Sequence, residues 1–361
     1  MKRNHTSFAL SAWLCLSGVL GAGAARAAPC TTASSECTEW VSLAEGSSRL
    51  LVYRSHPLEV RNDGITRGLV MVHGGGRNAD DYFRDSLAAA FLAGALEDTI
   101  IVSPRFASND GGSCRDVLAG NEQNWPCDGP QRWGVGGSVS GNGKLTSFDA
   151  ADEILRKLAR KEMFPNLSSI VIAGHSAGGG FVTRYGMTNE VHELLGVPVT
   201  YVVANSGGFA YLDSLRPSGS AVPPNVAPAA PGYVPPVSGA QPPFVAFSDS
   251  QNCTGYDNWP YGLKNRSGYS ARFTADQLKK RLAARRVTYL QGGLDVLPPT
   301  DVSCSAMAQG PTRLARGLIY GRHVNERHGA QHKTVVVPPC GHSSRCMFTA
   351  DAALPLIFPP K

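Results

Sequence analysis

Short apolar runs, too brief for helices, recur along the chain at 68–72 (GLVMV), 99–103 (TIIVS), 167–173 (LSSIVIA), 199–204 (VTYVVA), 287–291 and 333–337. Runs of this length without polar alternation predict strands, the first four of the buried kind. Alternating positions at 39–43 and 48–53 predict two earlier strands, antiparallel to each other. Between the runs the period changes. Over 147–161, Ala151, Ile154, Leu155 and Leu158 fall at i, i+3, i+4 and i+7, while Arg156, Lys157, Arg160 and Lys161 take the wet face. Further helices are expected up to about residue 96, from 177 to about 189, and over 312–326. Another opens at Thr274, where Gln277 three positions on completes a capping-box pattern.

Buried strands alternating with amphipathic helices predict an α/β fold, a mostly parallel central sheet with helices on both faces. Reactive groups in such a sheet gather at the carboxyl ends of the strands. Two segments lack any period. Residues 105–144, rich in Gly, Asn, Trp and Cys, read as a long loop, and 216–244, dense in Pro, Gly, Ala and Ser, as an insertion or flap, with an ordered segment resuming at 244–247. There is no internal repeat, so a single catalytic-sized domain over 29–361 is the economical reading.

Composition alters this picture at its start. Lys2 and Arg3 precede an apolar run from Phe8 to Leu20, and Ala25-Arg26-Ala27 has the small-x-small form of a leader-peptidase site. Residues 1–28 are therefore expected to be a secretory signal peptide, cut after Ala27 or Ala28, with no membrane anchor. Its removal takes away Lys2, Arg3 and Arg26 and lowers the formal charge from +6 to +3, too mild and dispersed a charge for nucleic acid. It also takes away Cys15 and leaves eight of the nine cysteines. An even set in an exported chain favours disulfides, with about 105 connectivities open. Proximity suggests Cys30–Cys37, Cys114–Cys127 and Cys340–Cys346, leaving Cys253–Cys304. No CxxC pair exists to favour zinc, and no cofactor is implied.

The candidate chemistry sits after the 167–173 strand, in GHSAGGG. Gly174-His175-Ser176-Ala177-Gly178 fits G-x-S-x-G, and it lies between a buried strand and a helix start. There the chain must turn sharply, which presents the Ser176 hydroxyl above the sheet edge as a nucleophile. The Ala177 N–H points into the same space at the positive end of the helix. A helix cap alone would not require glycine on both flanks.

A hydroxyl needs a base. His342, in VVVPPCGHSSRC, follows the last strand, inside the small loop that Cys340 and Cys346 could close. His323, His328 and His332 sit in polar company, His56 and His192 lack a strand end, and His175 is expected to pack locally. Asp295, after two glycines beyond the 287–291 strand, is the expected carboxylate, with Asp301 next and Asp213 a distant third. HGGG at residues 73–76 would complete an oxyanion hole, with Gly75 first, Gly76 next, and Ala177 as the second donor; His73 supports the loop. No G-K-[ST] follows, which excludes a phosphate loop.

These motifs, in the order Ser176, Asp295, His342, resemble the α/β-hydrolase superfamily over residues 51–358. VHGGGRNADDYF with GHSAGG is similar to the secreted branch of polyhydroxyalkanoate depolymerases, feruloyl esterases and acetylxylan-type esterases. The resemblance implies an α/β-hydrolase fold and a secreted, extracellular or periplasmic, serine hydrolase acting on carboxylic esters through an acyl-enzyme. Its substrate would be a small ester or a polymeric or plant-derived one. The long loop and the Pro-rich insertion depart from a minimal member, and substrate choice resides in such loops. Trp125, Trp133, Tyr256, Trp259 and Tyr261, all in loops, are the aromatics available to bind substrate, and packing of the loop onto the sheet is the alternative for each of them. A peptidase or amidase with the same triad, and a non-catalytic binding protein of this fold, are the alternatives.

Overall fold

The computed structural model describes residue 1 and residues 28–43, 48–129, 132–139, 142–219, 242–297 and 299–360. Nearly all of the expected leader, and the centre of the Pro-rich insertion, lie outside the described residues. The eight strands of the central sheet are β1 (Thr38–Leu43), β2 (Ser48–Arg54), β3 (Arg67–Val72), β4 (Thr99–Pro104), β5 (Ser169–His175), β6 (Val199–Ala204), β7 (Arg286–Gly292) and β8 (Lys333–Val337). They lie side by side in the order β1-β2-β4-β3-β5-β6-β7-β8. The β1–β2 and β2–β4 pairs are antiparallel and the other five are parallel.

The strands carry apolar residues on both faces because helices cover both. In β3, Leu69 and Met71 point to one side and Val70 and Val72 to the other. The first side packs against helices α1 (Ala79–Leu92), α7 (Ser344–Thr349) and α8 (Leu354–Ile357), through Phe83, Leu87, Met347, Phe348 and Ile357. The second packs against α2 (Ser147–Leu158), α3 (Ala177–Thr188), α4 (Ala275–Ala284) and α6 (Arg313–His328), through Phe148, Ile154, Phe181, Tyr185, Leu278 and Tyr320. A single-turn α5 (Cys304–Met307) precedes α6. The capping box at Thr274 forms, its hydroxyl accepting from Gln277 N, and Thr146 with Asp149 makes a second one.

Two segments are more ordered than their composition suggests. Within the long loop, Trp133–Val135 make a 3-10 turn, and Ser138–Val139 pair with Asn142–Thr146. The Pro-rich insertion leaves the body through an antiparallel pair, Leu215–Pro217 with Phe244–Ala246. Glycine-rich composition hides both, because hairpin pairing depends on the partner strand more than on local preference. The four disulfides are Cys30–Cys37, Cys114–Cys127, Cys253–Cys304 and Cys340–Cys346.

Candidate active site

The turn between β5 and α3 carries Ser176 at the carboxyl end of the sheet. Ser176 has φ +59° and ψ −119°, a conformation that side chains other than glycine adopt only under constraint. The constraint comes from its neighbours. A Cβ at Gly174 would lie 2.4 Å from the Gly178 carbonyl oxygen, and one at Gly178 would lie 2.3 Å from the Val72 carbonyl oxygen. Both glycines of G-x-S-x-G are thus required by backbone-to-backbone approach. Ser176 N–H donates to Ala204 O (3.0 Å), which ties the turn to β6.

His342 Nε2 lies 3.0 Å from Ser176 Oγ, and His342 Nδ1 lies 2.8 Å from Asp295 Oδ2. Asp295 is buried, and its other oxygen faces Arg313 Nη1 at 3.5 Å. Its backbone is fixed at both ends, N–H to Gly292 O (3.1 Å) and carbonyl to Leu314 N–H (3.3 Å) at the start of α6. The glycines before it have a steric cause. A Cβ at Gly292 would come within 2.5 Å of Cys340 O, and one at Gly293 within 2.8 Å of Pro338 O, so β7 can abut the loop that carries His342. That loop is closed by Cys340–Cys346 and is anchored by α7.

Asn205, just past β6, makes a link that the sequence reading did not single out. In the left-handed region at φ +46°, its side chain accepts from Gly292 N–H (2.7 Å) and donates to Gly341 O (3.0 Å). It therefore links the loop carrying Asp295 to the loop carrying His342. If this site carries the hydrolysis, Asn205→Ala should lower kcat by about 10- to 100-fold through misplacement of the imidazole, with KM nearly unchanged. Steady-state kinetics beside a melting curve check this; a KM effect alone would contradict it.

His175 is buried beside His342, with ring centroids 4.5 Å apart, and its Nδ1 meets Tyr82 Oη at 3.0 Å. Burial, reinforced by the nearby His342 and Arg313, holds its pKa well below the usual imidazole range, so it adds no cation against His342. His73 is buried and neutral, its pKa pushed down to about 4 by burial. Its Nδ1–H donates to Gly74 O (2.8 Å) and its Nε2 accepts from Phe106 N–H (3.0 Å), which holds the HGGG loop in place.

A cleft of about 540 Å³ opens over Ser176, and both Gly75 and Ala177 line it. Their N–H groups donate to no acceptor among the described residues. Gly76 is exposed and lies outside the cleft wall, beside Asn78.

The loop aromatics divide between the two expected roles, substrate contact and packing of the loop. Trp133 and Tyr261 line the cleft. Trp125 is fully buried, edge-on to Phe106 with centroids 5.3 Å apart, because the long loop folds over the sheet edge and must cover Phe106. Trp259 braces that loop, donating from Nε1 to Val135 O (3.0 Å). Tyr256 packs on Phe247 and donates to Ser214 O (3.0 Å). Neither Tyr256 nor Trp259 lines the cleft. Asp301 is occupied by Tyr261 Oη and Ser303, and Asp213 by Arg327 Nε (3.0 Å) and His328 Nε2 (3.4 Å).

The alpha/beta hydrolase family matches residues 69–354 of the chain. Among solved structures, a poly(3-hydroxybutyrate) depolymerase from Bordetella parapertussis is similar at 21% identity and TM-score 0.55, over 87% of this chain and 85% of that one. A poly(aspartic acid) hydrolase-1 from Sphingomonas sp. KT-1 is similar at 23% identity and TM-score 0.56, over 89% and 97%. No curated protein sequence matches the chain.

Proposed function

Because the chain belongs to the alpha/beta hydrolase family, we propose that it is a serine hydrolase cleaving carboxylic esters with Ser176, His342 and Asp295. The observation that carries the reading is the hydrogen-bonded chain from Ser176 Oγ through His342 to buried Asp295, mounted on a strained turn. Ser176 Oγ attacks the acyl carbonyl while His342 Nε2 takes its proton. The oxyanion is met by the N–H groups of Ala177 and Gly75. His342 then protonates the departing alcohol, and a water deprotonated by the same imidazole releases the acid. Asp295 holds Nδ1–H and stabilises the imidazolium.

The protein is further read as exported into an oxidising compartment, extracellular or periplasmic. Four disulfides support this, and among the described residues no helix is long and apolar enough to cross a membrane. A peptidase or amidase would use the same residues. A fluorophosphonate should label Ser176, read by mass spectrometry of the modified peptide, and a p-nitrophenyl ester should be turned over faster than the matching anilide. Labelling elsewhere would overturn the nucleophile, and a faster anilide the ester preference.

A further inference from the structure

Arg184 lies two turns beyond Ser176 on α3 and forms part of the cleft wall, yet only 4% of its surface is exposed. Its Nε and Nη2 donate to Pro260 O (3.0 and 2.9 Å), and Nη2 also to Gly208 O (3.3 Å). These carbonyls hold the guanidinium but do not neutralise it. Burial lowers its pKa only to about 10, so it stays charged at neutral pH. A buried cation with no carboxylate in contact is costly, and a ligand that brought one would offset that cost.

The third nitrogen, Nη1, has no hydrogen-bond partner among the described residues. It folds back along α3 to 2.6 Å from the position of a Cβ at Gly180, so that glycine provides the notch in which it lies. Gly180 is one turn after Ser176, whose carbonyl accepts from Gly180 N–H (3.1 Å). One turn is about 5.4 Å of rise. Arg132, on the same cleft wall, adds a second cation close enough to depress Arg184, and among the described residues its Nη1 donates to Gly129 O (2.9 Å). One acid lies within electrostatic reach: ionised Asp301 favours the charged form of Arg184, but it is in hydrogen-bond contact with Tyr261 and Ser303 rather than with Arg184 and also offsets Arg316. Asp128 is exposed at the rim and ion-paired to neither arginine, so this side of the cleft keeps a net positive charge.

We propose that Arg184 and Arg132 form a carboxylate-binding subsite, so that the preferred ester carries a carboxylate a few bonds from the scissile carbonyl. The proposal rests on Ser176 as the nucleophile. A planar guanidinium in a low-dielectric notch matches a carboxylate in charge and in fork geometry, and binding the carboxylate there sets the distance at which the carbonyl meets Ser176.

Two isosteric pairs test it by pH-stat. Monoethyl succinate against ethyl 4-methylpentanoate places the carboxylate on the acyl side, and 3-acetoxypropanoate against 3-methylbutyl acetate places it on the alcohol side. In at least one pair the anion should lead in kcat/KM by about 10- to 100-fold. That ratio should fall towards one in Arg184→Met and in Arg132→Ala, and partly recover in Arg184→Lys. A ratio within one enzyme is independent of the fraction folded. A neutral preference in both pairs, or a ratio indifferent to both arginines, overturns the subsite. Calorimetric binding of succinate to Ser176→Ala protein separates the two readings. Succinate bound without fluorophosphonate labelling of the wild type keeps the subsite and removes the nucleophile; labelling without succinate binding does the reverse.

Discussion

Ser176→Ala protein is expected to lose ester turnover by roughly 10⁴- to 10⁶-fold in kcat while remaining folded. The substitution removes one oxygen from a half-exposed position, so neither core is disturbed. What disappears is the atom that His342 Nε2 faces at 3.0 Å. Water could still attack a carbonyl held by the Gly75 and Ala177 N–H groups, which leaves a residue of catalysis above the solution rate. Turnover of a soluble ester beside circular dichroism measures both parts. Retention of more than a tenth of wild-type kcat would show that another group attacks.

The second large effect concerns the carboxylate. Asp295→Asn should reduce kcat by about 10⁴-fold, with little change in KM. An amide can turn its NH₂ towards His342 Nδ1, and the imidazole then carries its proton on Nε2, where it cannot accept from Ser176. Arg313, 3.5 Å from the other oxygen, would also lose its counter-charge in a buried setting. Asp301→Asn is the informative companion, since Asp301 spends its oxygens on Tyr261 and Ser303 rather than on His342. A larger loss from Asp301→Asn than from Asp295→Asn would move the triad acid to 301.

Much of this molecule is legible in its sequence, for reasons that differ by region. Strands β3 to β7 announce themselves because a parallel sheet covered on both sides tolerates few polar residues, as in VTYVVA and TIIVS, whereas β8 is a largely exposed edge strand legible only from its three valines. The glycines about Ser176 and before Asp295 are readable because the chain can approach itself that closely only without a Cβ. Side chains fixed by distant partners are not readable in this way. Nothing local to Asn205 indicates that it bridges Gly292 and Gly341, and Arg184 looks like an ordinary helix cation until Pro260 and Gly208 close over it. Which loop tryptophan packs inward is hidden for a related reason. Composition places Trp125 in a polar loop, whereas the large apolar area of the ring and the neighbouring Phe106 decide that it goes inward.

The positive φ at Ser176 has a consequence for how such a chain evolves. A residue with a Cβ in this conformation costs on the order of 1–3 kcal/mol, whereas glycine would relieve most of it. Drift governed by folding stability alone would therefore favour glycine at position 176. Position 176 is therefore a point where a substitution that gains stability would lose the hydroxyl, so that stability and activity pull in opposite directions there.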